Sequence, residues 1–149
     1  MKIIKDIEHL HKFCVNIGYK ESKGIANKMI LWLLGDKNIS KDTLGLACNQ
    51  LGLDGRVIAM KLANDKWKTF INPIIVNSSD EKITTEESCL SVSKSFDIKR
   101  SVKIKITDDR SNHNNPNDNT TEYSGMNAIV IQHEIDHLNG ILISDIGRI

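Results

Sequence analysis

The sequence lacks the features that mark secreted, membrane-spanning and nucleic-acid-binding proteins. Its formal net charge is +1 across 149 residues, so charge gives no reason to expect nucleic acid or an anionic membrane as a partner. The longest apolar run, Met29–Leu34, is too short to span a bilayer, and the first residues show no apolar stretch typical of a signal peptide or anchor. We therefore expect a cytoplasmic protein with neither a membrane nor a nucleic acid as its partner.

Cysteine and proline are also scarce. The odd set of Cys14, Cys48 and Cys89, without a secretory signal, argues against a disulfide framework and favours a reducing compartment. Two prolines leave little room for linkers, so residues 1–149 are expected to form a single domain. The one biased segment, Ser111–Thr121, is rich in Asn and Asp and is expected to be an exposed loop between two strands.

Hydrophobic spacing predicts two amphipathic helices near the N-terminus. One covers residues 5–14 and the other covers residues 22–34, with Ser22 as the expected cap and Gly35 as the expected stop. The apolar positions are Ile7, Leu10 and Phe13 in the first helix, and Ile25, Met29, Trp32 and Leu33 in the second.

The period then changes to that of strands and finally returns to that of a helix. The segments with strand character are Arg56–Leu62, Trp67–Asn72, Ile74–Asn77 and Val102–Thr107. The last of these alternates cleanly, which indicates one buried and one exposed face. From Ser124 onward a broad apolar stripe indicates a central, buried helix. The stripe consists of Met126, Ile129, Val130, Ile135 and Leu138.

The last helix carries the residues most clearly suited to chemistry. His133 and His137 are four positions apart, so they lie on one helical face and can bind one metal ion. Glu134 lies beside the first histidine and can act as a general base toward water. Two surface histidines on an ordinary helix are the alternative, but the apolar surroundings favour a metal. The predicted fold is α+β, with small mixed or antiparallel β-sheets packed around a central C-terminal metal-binding helix, and the predicted activity is that of a metallohydrolase.

A catalytic metal site usually takes three protein ligands and one water, so a third ligand is needed. No Glu or His follows His137, which disfavours the thermolysin-like and metzincin arrangements. Cys89 stands out among the upstream candidates, because a strand gives way there to small and polar residues and a thiolate would complete a Cys-His-His set. The upstream candidates are His9, His11, Cys14, Cys48, Cys89 and His113.

Three ordered motifs resemble those of the peptide deformylase family. Thr43–Gln50 is similar to the family's Gly-x-Gly-Leu-Ala-Ala-x-Gln segment, Glu87–Ser91 is similar to Glu-Gly-Cys-Leu-Ser, and Gln132–His137 matches Gln-His-Glu-x-Asp-His. The resemblance covers roughly residues 40–145, with Gly125 opening the last helix.

The resemblance implies hydrolysis of the formyl group from the N-terminal formyl-methionine of new polypeptides. It implies that Cys89, His133 and His137 bind the metal and that Glu134 is the general base. By the same resemblance, the Gln50 side-chain amide and the Leu90 backbone N–H stabilise the oxyanion. An ordinary surface glutamine is the alternative for Gln50.

The resemblance also implies a methionine pocket, for which plain core packing is the alternative at each position. The segment near Gly45 is expected to pair with the peptide backbone, and Arg100 with Asp136 is expected to orient the ligands. A surface salt bridge is the alternative for that pair. The expected pocket residues are Leu44, Met126, Ile129 and Val130.

The motifs depart from the family pattern at several positions. Thr43 and Ser88 replace glycines, and Ser93 stands where a proline is common. Thr43 is expected to narrow the substrate cleft, and Ser88 would be strained if that position required a left-handed backbone. Cys48 replaces an alanine and is expected to place a second thiol near the metal site.

The expected cofactor is one divalent metal ion. The resemblance implies ferrous iron, with Zn²⁺, Ni²⁺ or Co²⁺ also able to occupy the site. The expected partners are N-formylmethionyl nascent polypeptides, with the ribosome as a further possible contact. Two alternatives stay open: another metal-dependent amidase or peptidase, and a catalytically silent metal-binding homologue whose site is closed by a fourth ligand such as Cys48.

Overall fold

The computed structural model describes residues 1–35, 39, 41–110 and 119–149. Its helices are α1 (Ile7–Leu10), α2 (Tyr19–Gly35), a 3₁₀ helix (Cys48–Leu51), α3 (Gly125–Leu138) and α4 (Ile143–Ile146). Its strands are β1 (Gly45–Ala47), β2 (Val57–Lys61), β3 (Trp67–Ile71), β4 (Ile74–Ser78), β5 (Lys82–Cys89), β6 (Val92–Ser101), β7 (Lys103–Thr107) and β8 (Thr121–Ser124). The α+β class is confirmed.

Every strand pairing in the described part of the chain is antiparallel. The strands form a β1-β2-β3 sheet, a β4-β7-β8 sheet and a two-stranded β5-β6 ribbon. The alternation predicted for Val102–Thr107 is confirmed, because Ile104 and Ile106 are buried while Lys103 and Lys105 are exposed. Helix α3 packs against strands of both sheets and against β6, so it lies at the centre of the molecule as predicted.

The predicted helix over residues 5–14 is wrong in its extent, because only Ile7–Leu10 is helical. Leu10 is fully buried, whereas Phe13 is 65% exposed and its ring lies 4.7 Å from the guanidinium of Arg56. Beyond the helix the chain turns to follow the end of α3, where the Cys14 amide donates to the Leu138 carbonyl. The helical spacing of Phe13 therefore does not reflect core packing.

The second helix covers Tyr19–Gly35 in the described residues, so it begins three residues earlier than Ser22 and includes Gly35. Gly18 has a positive φ of 92° just before the helix, which is a conformation that favours glycine. The Ser22 amide donates to the Gly18 carbonyl, and the Ser22 side chain is buried inside the helix. Ser22 is therefore an interior residue rather than a cap.

The β5-β6 ribbon has few core-facing residues, so its full length gave little periodic signal in the sequence. Most of the loop predicted for Ser111–Thr121 lies outside the described residues, and Thr121 itself belongs to β8. None of the described helices has the length and apolar character needed to cross a membrane.

Candidate active site

Helix α3 presents three polar side chains from a largely apolar helix to the interior. His133, Glu134 and His137 are 9%, 4% and 2% exposed, and the two imidazole centroids lie 5.1 Å apart. The helix is fixed in this position by Gln132, whose side-chain amide accepts from the Ser101 amide and donates to the Ser101 carbonyl. The predicted pair of histidines on one face is thus brought together in a buried setting.

Cys89 reaches this helix from the tip of the β5-β6 ribbon. The ribbon turns through only Leu90 and Ser91, so Cys89 pairs directly with Val92. The Cys89 Sγ lies 3.2 Å from His137 Nε2. One ligand atom from each of Cys89, His133 and His137 lies within 4.8 Å of the others, so the structure brings together the predicted ligands.

The other candidate ligands lie away from this cluster. His11 pairs with Asp145 at 3.1 Å, and His9 and Cys14 are not part of the cluster. Cys48 Sγ donates to the Gly55 carbonyl at 3.1 Å and contacts the Val57 amide at 3.5 Å.

The expectation of a second thiol at the metal site is therefore wrong for Cys48, whose sulfur faces β2 and Cys14. The silent alternative with Cys48 as fourth ligand loses its structural basis. The remaining candidate, His113, lies outside the described residues.

A buried network of charges holds the first histidine. Glu87 Oε1 accepts from His133 Nδ1 at 2.9 Å, and both Glu87 oxygens accept from Arg100 at 2.8 and 2.9 Å. Arg100 also donates to Asp136 at 2.6 Å, which joins the ribbon to α3. The predicted Arg100–Asp136 contact is present, but Glu87 was not predicted. Its position two residues before Cys89 on one strand, and hence on the same face, is the signal that could have identified it.

The electrostatic consequences of this network favour a bound cation. Burial alone would raise the pKa of Glu87, but Arg100 and His133 outweigh it and hold this pKa at about 2. Burial would likewise lower the pKa of His133, but Glu134, Cys89 and Glu87 raise it to about 10. The negative groups around His133 therefore favour positive charge at this position, which a cation bound by the neutral imidazole would supply.

The two remaining groups on α3 are shifted mainly by loss of solvent. Burial, with help from His133 and Arg100, lowers the pKa of His137 to about 3, so this imidazole is neutral as a metal ligand must be. Burial raises the pKa of Glu134 to about 7 against the opposing effects of His133 and Arg100. A carboxyl group with a pKa near neutrality is suited to both accepting and donating a proton.

Gln50 lies on the opposite side of the sulfur. Its Oε1 accepts from the Ala47 amide, and its Nε2 donates to Ser91 Oγ at 3.1 Å and to Cys89 Sγ at 3.4 Å. The Ser91 amide also contacts the sulfur at 3.5 Å. A cysteine binds a metal through its thiolate form. A soft thiolate with two imidazoles fits a divalent transition metal in tetrahedral geometry.

A cavity of about 310 Å³ opens beside these groups. Met126 is 58% exposed at its mouth, while Ile129 and Val130 are buried in its wall. Thr43 also lines the cavity, so the predicted narrowing of the cleft stays a prediction. All the predicted site residues other than His137 line it, namely Leu44, Gly45, Gln50, Cys89, Leu90, Met126, Ile129, Val130, His133 and Glu134.

Two positions in the family-like motifs have clear structural outcomes. A Cβ at Gly45 would lie 2.7 Å from Glu134 Oε1 and 2.8 Å from Val130 Cγ1, so the strand passes too close to α3 for a side chain. Ser88 carries no left-handed strain, because Asp65 and Asn72 are the only described non-glycine residues with positive φ.

The comparison with protein families agrees with this geometry. A family model for polypeptide deformylases matches residues 3–147. The chain belongs to the polypeptide deformylase family. Among curated relatives, peptide deformylase from Pseudothermotoga lettingae is 38% identical over 106 residues, which cover 70% of this chain and 59% of the relative. That from Psychrobacter arcticus is 39% identical over 105 residues, which cover 68% and 55%. The matched part thus spans less than two thirds of these deformylases.

Solved deformylase structures extend the match over the whole chain. The Thermotoga maritima peptide deformylase has a TM-score of 0.79 at 30% identity and covers 100% of this chain and 97% of its own. The peptide deformylase of the Vibrio parahaemolyticus bacteriophage VP16T, solved with actinonin, has a TM-score of 0.72 at 30% identity and covers 96% and 100%. The arrangement of helices and sheets described above is therefore the deformylase fold.

Proposed function

We propose that this protein is a metal-dependent peptide deformylase, which hydrolyses the formamide bond of N-formylmethionyl polypeptides and releases formate. The observation that carries the proposal is the cluster of Cys89, His133 and His137 beside Glu134, at the base of a partly apolar cavity. Membership of the polypeptide deformylase family supports it.

A divalent cation held by Cys89, His133 and His137 would supply the Lewis acidity that makes water nucleophilic at neutral pH. Glu134 accepts a proton from the attacking water and later donates it to the departing amine nitrogen. Its burial and its place in the cavity wall support this role, since a desolvated carboxyl beside the reacting atoms exchanges protons without competing solvent.

Gln50 and Leu90 are proposed to stabilise the oxyanion that forms at the formyl carbon. Leu90 follows Cys89 in the ribbon turn and lines the cavity, so its backbone amide lies beside the ligand cluster. The Gln50 Nε2 already donates to Ser91 and Cys89. In the proposed role, one of its two N–H groups turns from these partners to the substrate oxygen. Losing one such donor typically removes about 3 kcal/mol of transition-state stabilisation.

The substrate is proposed to place its methionine side chain against Ile129 and Val130, with Leu44 and Met126 at the mouth. β1 is the edge strand of its sheet, and its Gly45 borders the cavity, so an extended peptide can add to it through backbone hydrogen bonds. Backbone pairing depends little on side chains and suits substrates of many sequences.

The test is formate release from formyl-Met-Ala-Ser by anaerobically purified protein, together with metal analysis. We expect one divalent ion per chain, with Fe²⁺ the first candidate and Zn²⁺, Ni²⁺ or Co²⁺ as substitutes. We expect stoichiometric formate and free Met-Ala-Ser with every internal bond intact. The matched variant Glu134→Gln keeps the size of the side chain and should retain metal while losing at least about a hundredfold in rate.

Each rival predicts a different result in this assay. Cleavage of unformylated peptides or of internal bonds would indicate another amidase or peptidase. A metal-loaded protein that releases no formate would indicate a silent homologue and would overturn the proposal.

Residues 1–149 are proposed to act as a single catalytic domain, which the family match over residues 3–147 supports. The substrate is made by ribosomes, so we place the reaction in the cytoplasm, with the ribosome as a proposed contact. Sedimentation of the protein with ribosomes would test this contact, and failure to co-sediment at physiological salt would contradict it.

A further inference from the structure

The two histidines of the cluster are held in different ways. His133 Nδ1 is engaged by Glu87 at 2.9 Å, as expected for an imidazole that binds a metal through its other nitrogen. His137 presents Nε2 to Cys89 Sγ, so its Nδ1 is directed away from the cluster. This Nδ1 is buried and has no hydrogen-bond partner among the described residues.

The Asn49 side chain is hydrogen-bonded to the backbone of His137. It is 4% exposed, and its Nδ2 donates to the His137 carbonyl at 2.9 Å. Its Oδ1 is buried and, within the part of the chain that the structure describes, also has no partner. A buried donor and a buried acceptor thus lie on two residues that are already hydrogen-bonded to each other.

We propose that Asn49 is a positioning residue for His137. One ordered water accepts the Nδ1–H of His137 and donates to Asn49 Oδ1. An imidazole that binds a metal through Nε2 keeps its proton on Nδ1, and leaving this buried donor without an acceptor is unfavourable. A buried water is stabilised by two to four polar partners, and the two groups supply the first two.

The 3₁₀ helix then serves two of the three ligands. Gln50 donates to Cys89 on one side, and Asn49, its neighbour, orients His137 on the other. Glu87 performs the corresponding function for His133 from the ribbon. Each ligand of the cluster is therefore held by a different buried polar side chain.

The inference rests on the metal-binding part of the proposed function and can be tested without activity. Cobalt(II)-loaded protein is examined by proton NMR, in which the Nδ1–H of each bound histidine gives a shifted, exchangeable signal. Asn49→Leu removes both hydrogen bonds of Asn49, whereas Asn49→Asp keeps the Oδ1 acceptor and replaces the Nδ2 donor with a second carboxyl oxygen. Release of cobalt to a chelator is measured on the same samples.

We expect Asn49→Leu to speed exchange of one of the two histidine protons and to speed cobalt release by about ten- to a hundredfold. We expect Asn49→Asp to stay close to the wild type in both measurements. Thr69→Val is the matched control, since it removes a buried side-chain acceptor for Arg110 away from the cluster and should change neither.

Unchanged exchange and release in Asn49→Leu would overturn the inference, as would equal defects in Asn49→Leu and Asn49→Asp, which would assign the effect to the Nδ2 bond. If Asn49→Leu does not fold, Asn49→Ala replaces it in the same comparison with Asn49→Asp. A wild-type protein that binds no cobalt at the three ligands would instead contradict the proposed function.

Discussion

Two arginines bind residues in or next to the last turn of α3, and they do so with different chemistry. Arg100 binds the charged carboxylates of Glu87 and Asp136 beside the metal cluster. Arg56 donates to neutral oxygens, the carbonyls of Cys14 and Leu138 and the side chain of Asn139, at the C-terminal end of the helix. The side of this turn that faces the Cys89, His133 and His137 cluster thus depends on a buried ion network, while the end of the helix depends on hydrogen bonds to neutral oxygens.

This difference predicts which replacements lower the stability of the fold most. Removing one member of a buried ion network leaves its partners charged and desolvated, which is strongly destabilising. Removing Arg56 leaves only neutral acceptors, and the Leu138 carbonyl still accepts from the Cys14 amide, so the effect should be smaller and should not reach the metal.

The largest effect is expected for Arg100→Met. Glu87 and Asp136 would lose their counter-charge, and we expect the free energy of unfolding to fall by about 3–5 kcal/mol. Retention of metal should fall as well, because Glu87 would no longer hold His133 in place. Denaturant unfolding and chelator competition check both. Retention equal to the wild type would show that the network serves the fold alone.

A somewhat smaller effect is expected from acid. The pKa of Glu87 is lowered to about 2 in the folded protein, so this group contributes stability that is fully present above its unfolded pKa of 4.5 and is lost as pH falls toward 2. The contribution is about 3 kcal/mol. Glu87→Gln cannot titrate here. The difference in unfolding free energy between the two proteins should therefore shrink over this pH range, and a constant difference would contradict the assignment.

Arg56→Met should destabilise the fold by about 1.5–3 kcal/mol, since it removes charge-assisted hydrogen bonds to neutral acceptors. Metal retention should stay at the wild-type value, which makes this variant the direct counterpart of Arg100→Met. Loss of metal in Arg56→Met would contradict the separate roles of the two arginines.

The smallest effect is expected for Phe13→Ala. The ring is largely exposed and contributes chiefly through the Arg56 guanidinium 4.7 Å from its centre. The free energy of unfolding should therefore fall by about 0.5–1 kcal/mol. In the Arg56→Met background this effect should largely vanish, and a double-mutant cycle measures it. Equal losses in both backgrounds would assign Phe13 another role.

The sequence was most informative where contacts are local. The spacing of His133 and His137 is a property of one helix. The buried and exposed faces of β7 follow from the alternation of apolar and polar residues over five positions. Glu87 was missed because its partners lie 13 and 46 residues away, across the ribbon and on α3. Cys48 was misassigned for a related reason: its neighbours in sequence reach the site while its own side chain faces β2.

Helix starts illustrate the same limit on a shorter scale. Ser22 has the composition of a cap, yet the position where α2 begins is decided by the backbone of Gly18. The apolar spacing at Phe13 similarly predicted a longer helix, but the hydrogen bond from the Cys14 amide to Leu138 directs the chain elsewhere. In each case a tertiary contact or a backbone angle outweighed the local preference of a side chain.

The chain reversal after α3 lies directly against the N-terminal stretch of the molecule. Gly140 has a positive φ of 75°, and a side chain there would overlap the carbonyl of His11. The N-terminal stretch therefore fits against the reversal without spare room and supplies the amide of Cys14 to Leu138. A shortened form beginning after Cys14 would uncover the end of the helix that carries His137, although all three family-like motifs would still be present.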